Sequence, residues 1–249
     1  MMPKSISFII PAYNEEKNLG KCLESILTEI DNVGILTEII IVNNASTDGT
    51  KFIALNFNKV RVVDEPKKGL VFARAAGAKV ANGELLAHID ADCLLPKGWT
   101  NTALKQFESD ENLVALSGPH IFYDLPLWKQ IVVRLFYSLA VFVAWLNASV
   151  FRTGSVLQGG NFVVRKWAWE KMGESASEFN FYGEDTELCR KLFLLGKVKF
   201  TFSLPIKTSG RRLAEEGLFV IGTRYALNYF SVLFFKKPVT KKYKDIRPA

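Results

Sequence analysis

Residues Ser5 to Val42 read SISFIIPAYNEEKNLGKCLESILTEIDNVGILTEIIIV. Two β-branched runs, SISFII at 5–10 and EIIIV at 38–42, flank a segment after Asn18 with helical spacing. That segment places Leu19, Cys22, Leu23, Ile26, Leu27 and Ile30 along one face. Further along, VRVV at 60–63 and LLAHI at 85–89 repeat the strand signal. A helix is expected after the N-cap cluster Ser46-Thr47-Asp48. Another runs from about Gly69 to Ala81, rich in alanine, and stops near Asn82-Gly83. Strands alternating with helices are βαβ units, and near-continuous apolar strands suit a sheet covered on both faces. The pattern predicts a Rossmann-like α/β fold, with a mostly parallel central sheet flanked by helices.

The later half is less regular. Val114 to Ser117 and Asn161 to Arg165 read as strands, and Asp185 to Leu195 as a helix closed by Gly196. Leu135 to Phe151 carries no charge and is bracketed by Arg134 and Arg152. A bilayer span takes about 20 apolar residues. This stretch is shorter and holds Ser138, Asn147 and Ser149, so a buried or interfacial helix is expected rather than a span. A second apolar, aromatic stretch, Leu218 to Phe235, leads into KKPVTKKYKDIR at 236–247, with six cations and one acid.

A chain of 249 residues can bury one sizeable core. Its three cysteines, Cys22, Cys93 and Cys189, are scattered without CxxC spacing. That argues against a disulfide framework and a structural zinc site, and it suits a reducing compartment. The opening MMPKSISFII runs straight into a turn with Pro11, Asn14 and two acids, so it reads as the first strand and not a secretory signal. The net charge is +7. The basic tail reads by default as a solvated run; because it follows an apolar stretch, its stronger functional reading is anionic lipid, not nucleic acid.

In open parallel sheets, ligands bind beyond the carboxyl ends of the strands. PAYNEE at 11–16, NNASTDGT at 43–50 and Asp90-Ala91-Asp92 all fall there. Taken singly, the first two are ordinary turn and cap chemistry. Asp90 and Asp92 say more. In extended backbone their carboxylates point the same way, which is unfavourable unless a cation or proton is shared between them. Hard oxygen donors of this kind suit Mg²⁺ or Mn²⁺ bridged to substrate phosphates.

Together these segments resemble the family 2 glycosyltransferases of the GT-A fold. The likeness rests on IIPAYNEE, VNNASTDGT, GLVFARAAGAKVANGELL and HIDAD, then LQGGNFVVRK at 157–166 and FYGEDTELCRKL at 181–192, in that order. The resemblance implies that Pro11, Tyr13, Glu15, Asn43, Asn44 and Arg74 line a nucleotide pocket. It implies that Asp90 faces ribose and metal, with Ala91 beside it, and that Asp92 binds the metal at the diphosphate. Gly160 and Asn161, after Gly159, lie beside the donor sugar. Asp185 of the Glu184-Asp185 pair is the catalytic base; an Asp there also caps a helix well. Family members usually carry an aspartate in the pair after the second strand, where this chain has Asn43 and Asn44. Arg211 and Arg212 read either as a grip on the diphosphate or as a solvated charge pair. His88, His120, Cys93, Cys189 and the tryptophans Trp128, Trp145, Trp167 and Trp169 read as structural.

The function implied is inverting transfer of a sugar from a nucleotide-sugar to a hydroxyl or phosphate acceptor, with Mg²⁺ or Mn²⁺. The two apolar stretches and the cationic tail suggest peripheral contact at the cytoplasmic membrane face and a lipid-linked acceptor in polysaccharide or glycolipid synthesis. The expected division is a body of residues 1–215, nucleotide-binding over 1–100 and acceptor-side over 101–215, followed by an apolar helix and basic tail at 216–249. A nucleotidyltransferase is disfavoured by the acidic, glycine-free first loop. A non-catalytic membrane scaffold is the other alternative. The sugar, the base and the oligomeric state are left open.

Overall fold

The four aliphatic runs of the first half become β1 (Ser5–Ala12), β2 (Leu36–Asn43), β3 (Val60–Asp64) and β4 (Leu85–Ile89). The structure, a computed structural model, describes residues 3–31, 33–146, 156–173, 182–240 and 244–245. These strands pair in parallel. The crossovers carry α1 (Leu19–Ile30), α2 (Thr50–Leu55) and α3 (Leu70–Val80). With β5 (Leu113–Ser117), β7 (Asn161–Arg165) and β8 (Lys197–Phe200), they form one seven-stranded sheet in the order β3-β2-β1-β4-β7-β5-β8. The α/β architecture is as expected. One strand departs from it: β7 runs antiparallel to both β4 and β5.

The continuous apolar runs follow from burial on both faces. Ile6, Phe8 and Ile10 of β1 pack into one core, with α1 and α4 (Trp99–Ser109), while Ile9 faces the other. In β2, Ile39 and Ile41 take the first face, Ile40 and Val42 the second. The second core is closed by α3, α6 (Lys166–Met172) and α7 (Glu184–Phe193). Strand alternation with both faces covered leaves no polar side to the sheet.

A small parallel pair, β6 (His120–Phe122) and β9 (Ile206–Thr208), leads the chain into α8 (Arg211–Glu216). A third apolar cluster of Leu125, Val133, Tyr137, Leu213 and Ile221 ties α5 (Leu127–Leu146) to α8 and α9 (Leu218–Phe235). Helix α5 starts at Leu127, well before the expected Leu135, because Lys129 and Arg134 sit on its surface without interrupting it. Its outer face is apolar and bare: Leu135 is 65% exposed, Phe142 58% and Trp145 62%. The buried alternative for this helix is thereby corrected over its described part. By length and composition alone, α5 and α9 are both long and apolar enough to cross a membrane. Asn147, Ser149 and Phe151 of the expected apolar stretch lie outside the described residues, as do Phe181 and residues 241–243 and 246–247 of the basic tail.

Candidate active site

The loops after β1 and β2 are laced together. Asn14 takes a left-handed backbone at φ 50°, and its side-chain oxygen accepts Thr47 N–H at 2.9 Å. Glu15 N–H donates to Thr50 Oγ1 at 2.8 Å, and Asn18 Nδ2 donates to the Glu15 carboxylate at 2.9 Å. Pro11 stands opposite Val42 in the β1–β2 register. Lys68 Nζ lies 3.7 Å from the centre of the Tyr13 ring. Asn43 donates to Asp64 Oδ1 at 2.8 Å. Asn44 has a bracing role within the protein. It is buried, its Nδ2 donates to the carbonyls of Glu65 and Lys67, and its Oδ1 accepts Gly69 N–H at 2.8 Å. Its amide braces the loop leading to α3.

Asp90 and Asp92 do not sit in extended backbone. The chain turns directly after Ile89, with Cys93 N–H donating to Asp90 O at 3.0 Å and Ala91 buried between the two acids. The carboxylates therefore face different arginines. Asp90 Oδ1 lies 3.6 Å from Arg74 Nη2. Asp92 Oδ2 lies 3.1 Å from Arg211 Nη2, which also meets Glu15. Thr208 Oγ1 donates to Asp92 Oδ1 at 3.3 Å. Like charges this close each find a cation, which is the physical content of the expected repulsion.

Arg74 is 1% exposed and pairs with Glu184 at 2.8 Å and Asp185 at 3.3 Å, through the same Nη1. The resemblance put Arg74 in the nucleotide pocket; its contacts within the protein are with the Glu184-Asp185 pair and Asp90. Burial pulls its pKa down, but the three carboxylates outweigh burial and hold it above its ordinary value. Burial pushes Glu184 up to about 7 against the pull of Arg74, and raises Asp185 in the same way. Helix α7 begins at Glu184 after Gly183 at φ 82°, so Asp185 sits in the first turn, not at the cap. There its charge complements the helix dipole, and its Oδ2 accepts Gly159 N–H at 3.1 Å.

Two glycines let this pair approach Asp90. A Cβ at Gly159 would stand 2.5 Å from Asp185 Oδ2, and one at Gly160 2.2 Å from Asp90 Oδ2. No side chain fits at either position. The Asp185 and Asp90 carboxylates pack against successive residues of a turn without side chains, and both reach Arg74. Asn161, expected beside the donor sugar, is instead a core bracket: it is fully buried, and its Oδ1 accepts Trp99 Nε1–H at 3.1 Å while its Nδ2 donates to Leu204 O at 2.9 Å.

Among the described residues, no group of three or more His, Cys, Asp or Glu is placed to hold a metal. The donor set nevertheless fits Mg²⁺ or Mn²⁺ bound with a nucleotide. Such ions take one or two carboxylates and complete their shell with phosphate oxygens and water. Arg211, seated on Glu15 and Asp92, marks the place as one that takes positive charge.

Of the remaining expectations, Arg212 bonds Glu216 at 2.7 Å and the Lys244 carbonyl at 3.1 Å. His88 is buried and stacked between Phe162 and Trp169, with burial holding its pKa well down, so it is structural. Burial lowers His120 to about 4. Sequence reasoning missed Thr208, and it missed Tyr137, whose hydroxyl donates to Gln158 Oε1 at 2.9 Å beside the two glycines. Neither has a motif around it. Both arrive from elements that follow the recognisable half.

The family model described as Glycosyl transferase family 2 matches residues 7–170. Glycosyltransferase AglE of Haloferax volcanii is 34% identical over 99 residues, 38% of this chain and 32% of that protein. Dolichyl-phosphate beta-glucosyltransferase ALG5A of Trichomonas vaginalis is 37% identical over 97 residues, 35% of this chain and 30% of that protein. The chain thus spans about a third of the length of these relatives. Among solved structures, the mannosyltransferase PcManGT from Pyrobaculum calidifontis, in complex with GDP-Man and Mn²⁺, superposes with a TM-score of 0.68. It is 18% identical, and the match covers 93% of this chain and 64% of that one.

Proposed function

The chain belongs to glycosyl transferase family 2, and from that premise we propose that it is an inverting, metal-dependent glycosyltransferase moving a sugar from a nucleotide-sugar to a lipid-linked acceptor. The observation carrying this reading is the packing of Asp185 and Asp90 against Gly159-Gly160, a turn where neither glycine tolerates a Cβ. One carboxylate belongs to the strand-end turn suited to a diphosphate, the other to the first turn of α7. The absent side chains leave room for both carboxylates at one turn.

In this reading, Pro11, Tyr13, Glu15 and Asn43 line the nucleotide side, and Arg211 moves from Glu15 and Asp92 onto the diphosphate, a bidentate task that suits a guanidinium. Asp92 and Asp90 would hold the divalent ion, whose chemistry is Lewis-acid neutralisation of the leaving diphosphate. The acceptor oxygen attacks the anomeric carbon from the face opposite the diphosphate. Its proton passes to the Asp185 carboxylate, and the bond from carbon to diphosphate oxygen breaks, so the configuration inverts. Gly159 N–H and Arg74 fix the orientation of Asp185 before the acceptor arrives.

Residues 1–215 form the catalytic body and 216–249 its membrane-proximal appendage. The bare apolar faces of α5 and α9, with Lys236 and Lys237 after α9, supply the two signals for stable peripheral attachment, apolar burial and attraction to anionic lipid. A lipid-linked acceptor at the cytoplasmic membrane face fits that placement and the dolichyl-phosphate relative. Asp185→Asn tests the chemistry. It should fold, still bind nucleotide with Mn²⁺, and lose transfer by about 10²–10⁴-fold in a nucleotide-release assay, the usual share of a positioned base. Turnover close to the parent's would remove Asp185 from the role.

A further inference from the structure

Helix α9, LFVIGTRYALNYFSVLFF, holds a single charged side chain, Arg224. An ionised group on an otherwise apolar helix is costly unless it is paired and used. Here it is paired. Arg224 Nη1 meets one oxygen of Glu216, whose side chain is only 6% exposed, and Arg212 Nη1 takes the other oxygen at 2.7 Å. One buried carboxylate thus holds two guanidiniums side by side, and the three groups sum to one positive charge. The Arg224 side chain is still 40% exposed.

The surroundings place this charge at the acceptor side of the site. Arg224 interacts with Tyr182, the residue two before Glu184. Tyr182 packs edge-on against Tyr225 of α9, with ring centroids 5.7 Å apart, and Tyr225 is within electrostatic reach of Asp185. On its outer side α9 presents Phe219, Leu227 and Phe234 to solvent. The cation therefore stands between the catalytic pair and the apolar surface read above as membrane-facing.

We propose that Arg224, braced by Glu216 beside Arg212, binds a phosphate group on the acceptor and so presents a phosphorylated acceptor to Asp185. This rests on the transferase reading and names the acceptor's class. Paired guanidiniums favour phosphate over a neutral hydroxyl, because a phosphate oxyanion accepts charge-assisted bonds from both. The phosphate can belong to a lipid lying on α9 or to a small soluble molecule; the recognition chemistry is the same.

The test uses the full chain and three probes: citronellyl phosphate, citronellol and glycerol 3-phosphate, with binding followed by titration calorimetry. The parent should bind citronellyl phosphate more tightly than citronellol by about tenfold or more, the yield of one charge-assisted hydrogen bond. Arg224→Ala should erase that preference while leaving unchanged the thermal shift given by UDP, GDP or TDP with Mn²⁺. Should Arg224→Ala fail to fold with Glu216 left buried, the neutral pair Glu216→Gln/Arg224→Gln should fold and show the same loss. Glycerol 3-phosphate binding as tightly as citronellyl phosphate makes the source a soluble phosphate, weaker binding makes it a lipid, and both sustain the site. Equal parent affinity for phosphate and alcohol, or a preference surviving in both variants, overturns it. A parent that shows no nucleotide shift refutes the transferase reading separately.

Discussion

Replacing Gly160 by alanine is the sharpest single perturbation of this site. Gly160 sits at φ 72°, and a Cβ there would stand 2.2 Å from Asp90 Oδ2, 2.3 Å from its Cγ and 2.9 Å from its Cβ. Rotating the carboxylate does not clear three atoms of one short side chain, so Asp90 or the turn must shift. Restoring ordinary contact at about 3.5 Å means a displacement of roughly 1.3 Å. The left-handed backbone adds roughly 1–2 kcal/mol of strain for a residue with a Cβ. For a chain of this size that is a fall in Tm of about 2–8 °C. The larger effect is on rate, because a misplacement of about 1 Å at reacting groups costs on the order of 10²-fold. Differential scanning fluorimetry and nucleotide release, measured on the same preparation, read the two effects together. The expected result is a folded protein with slightly lowered Tm and a kcat down by about two orders of magnitude. Parent-like turnover with an unchanged Tm would mean that Asp90 does not stand against Gly160, and the reasoning from the turn would fail.

Arg211→Ala should tighten Mn²⁺ binding in the absence of nucleotide, read by electron paramagnetic resonance, because the guanidinium on Glu15 and Asp92 competes for the same charge. The same variant should weaken nucleotide-sugar affinity, and a loss of metal affinity would contradict the first part. Transfer should begin to fall, as pH drops, above the ordinary aspartate range, since burial raises Asp185 and a protonated Asp185 cannot take the acceptor's proton. A rate held level down to the ordinary carboxylate range would show that Asp185 is not the base. Phe142→Ser/Trp145→Ser, both exposed, should leave Tm unchanged and reduce sedimentation with anionic liposomes by about tenfold or more, from lost apolar burial. Undiminished sedimentation would separate α5 from membrane contact.

The parallel half was legible because its strands are buried on both faces and separated by well-punctuated helices; SISFII, EIIIV and LLAHI admit little else. The antiparallel course of β7 was not legible. NFVVR alternates the same way read in either direction, and only the path of the chain before it sets its sense. Asp90 and Asp92 were found by position, but the inference from extended backbone did not hold, because the chain turns directly after Ile89, where the apolar run ends. Arg74, Asn44 and Asn161 were placed in a ligand pocket by resemblance. Their partners, Glu184, the Lys67 carbonyl and Trp99, lie far along the chain, and no local pattern announces such pairings. Arg224 gave a signal that went unread, a lone charge in an apolar helix. Its partner Glu216 lies a short way upstream, in the preceding helix.

The reversed strand has one more consequence. Because β7 enters the sheet from the edge where β4 leaves it, the chain between β6 and β7 departs from and returns to the same rim. That excursion, which includes α5, is spliced into the enzyme like a cassette whose two ends are already neighbours. Closing a longer or shorter loop between fixed, adjacent ends changes the entropy only slowly with length. A change in the length of this segment should therefore leave the carboxylates at the rim in registration.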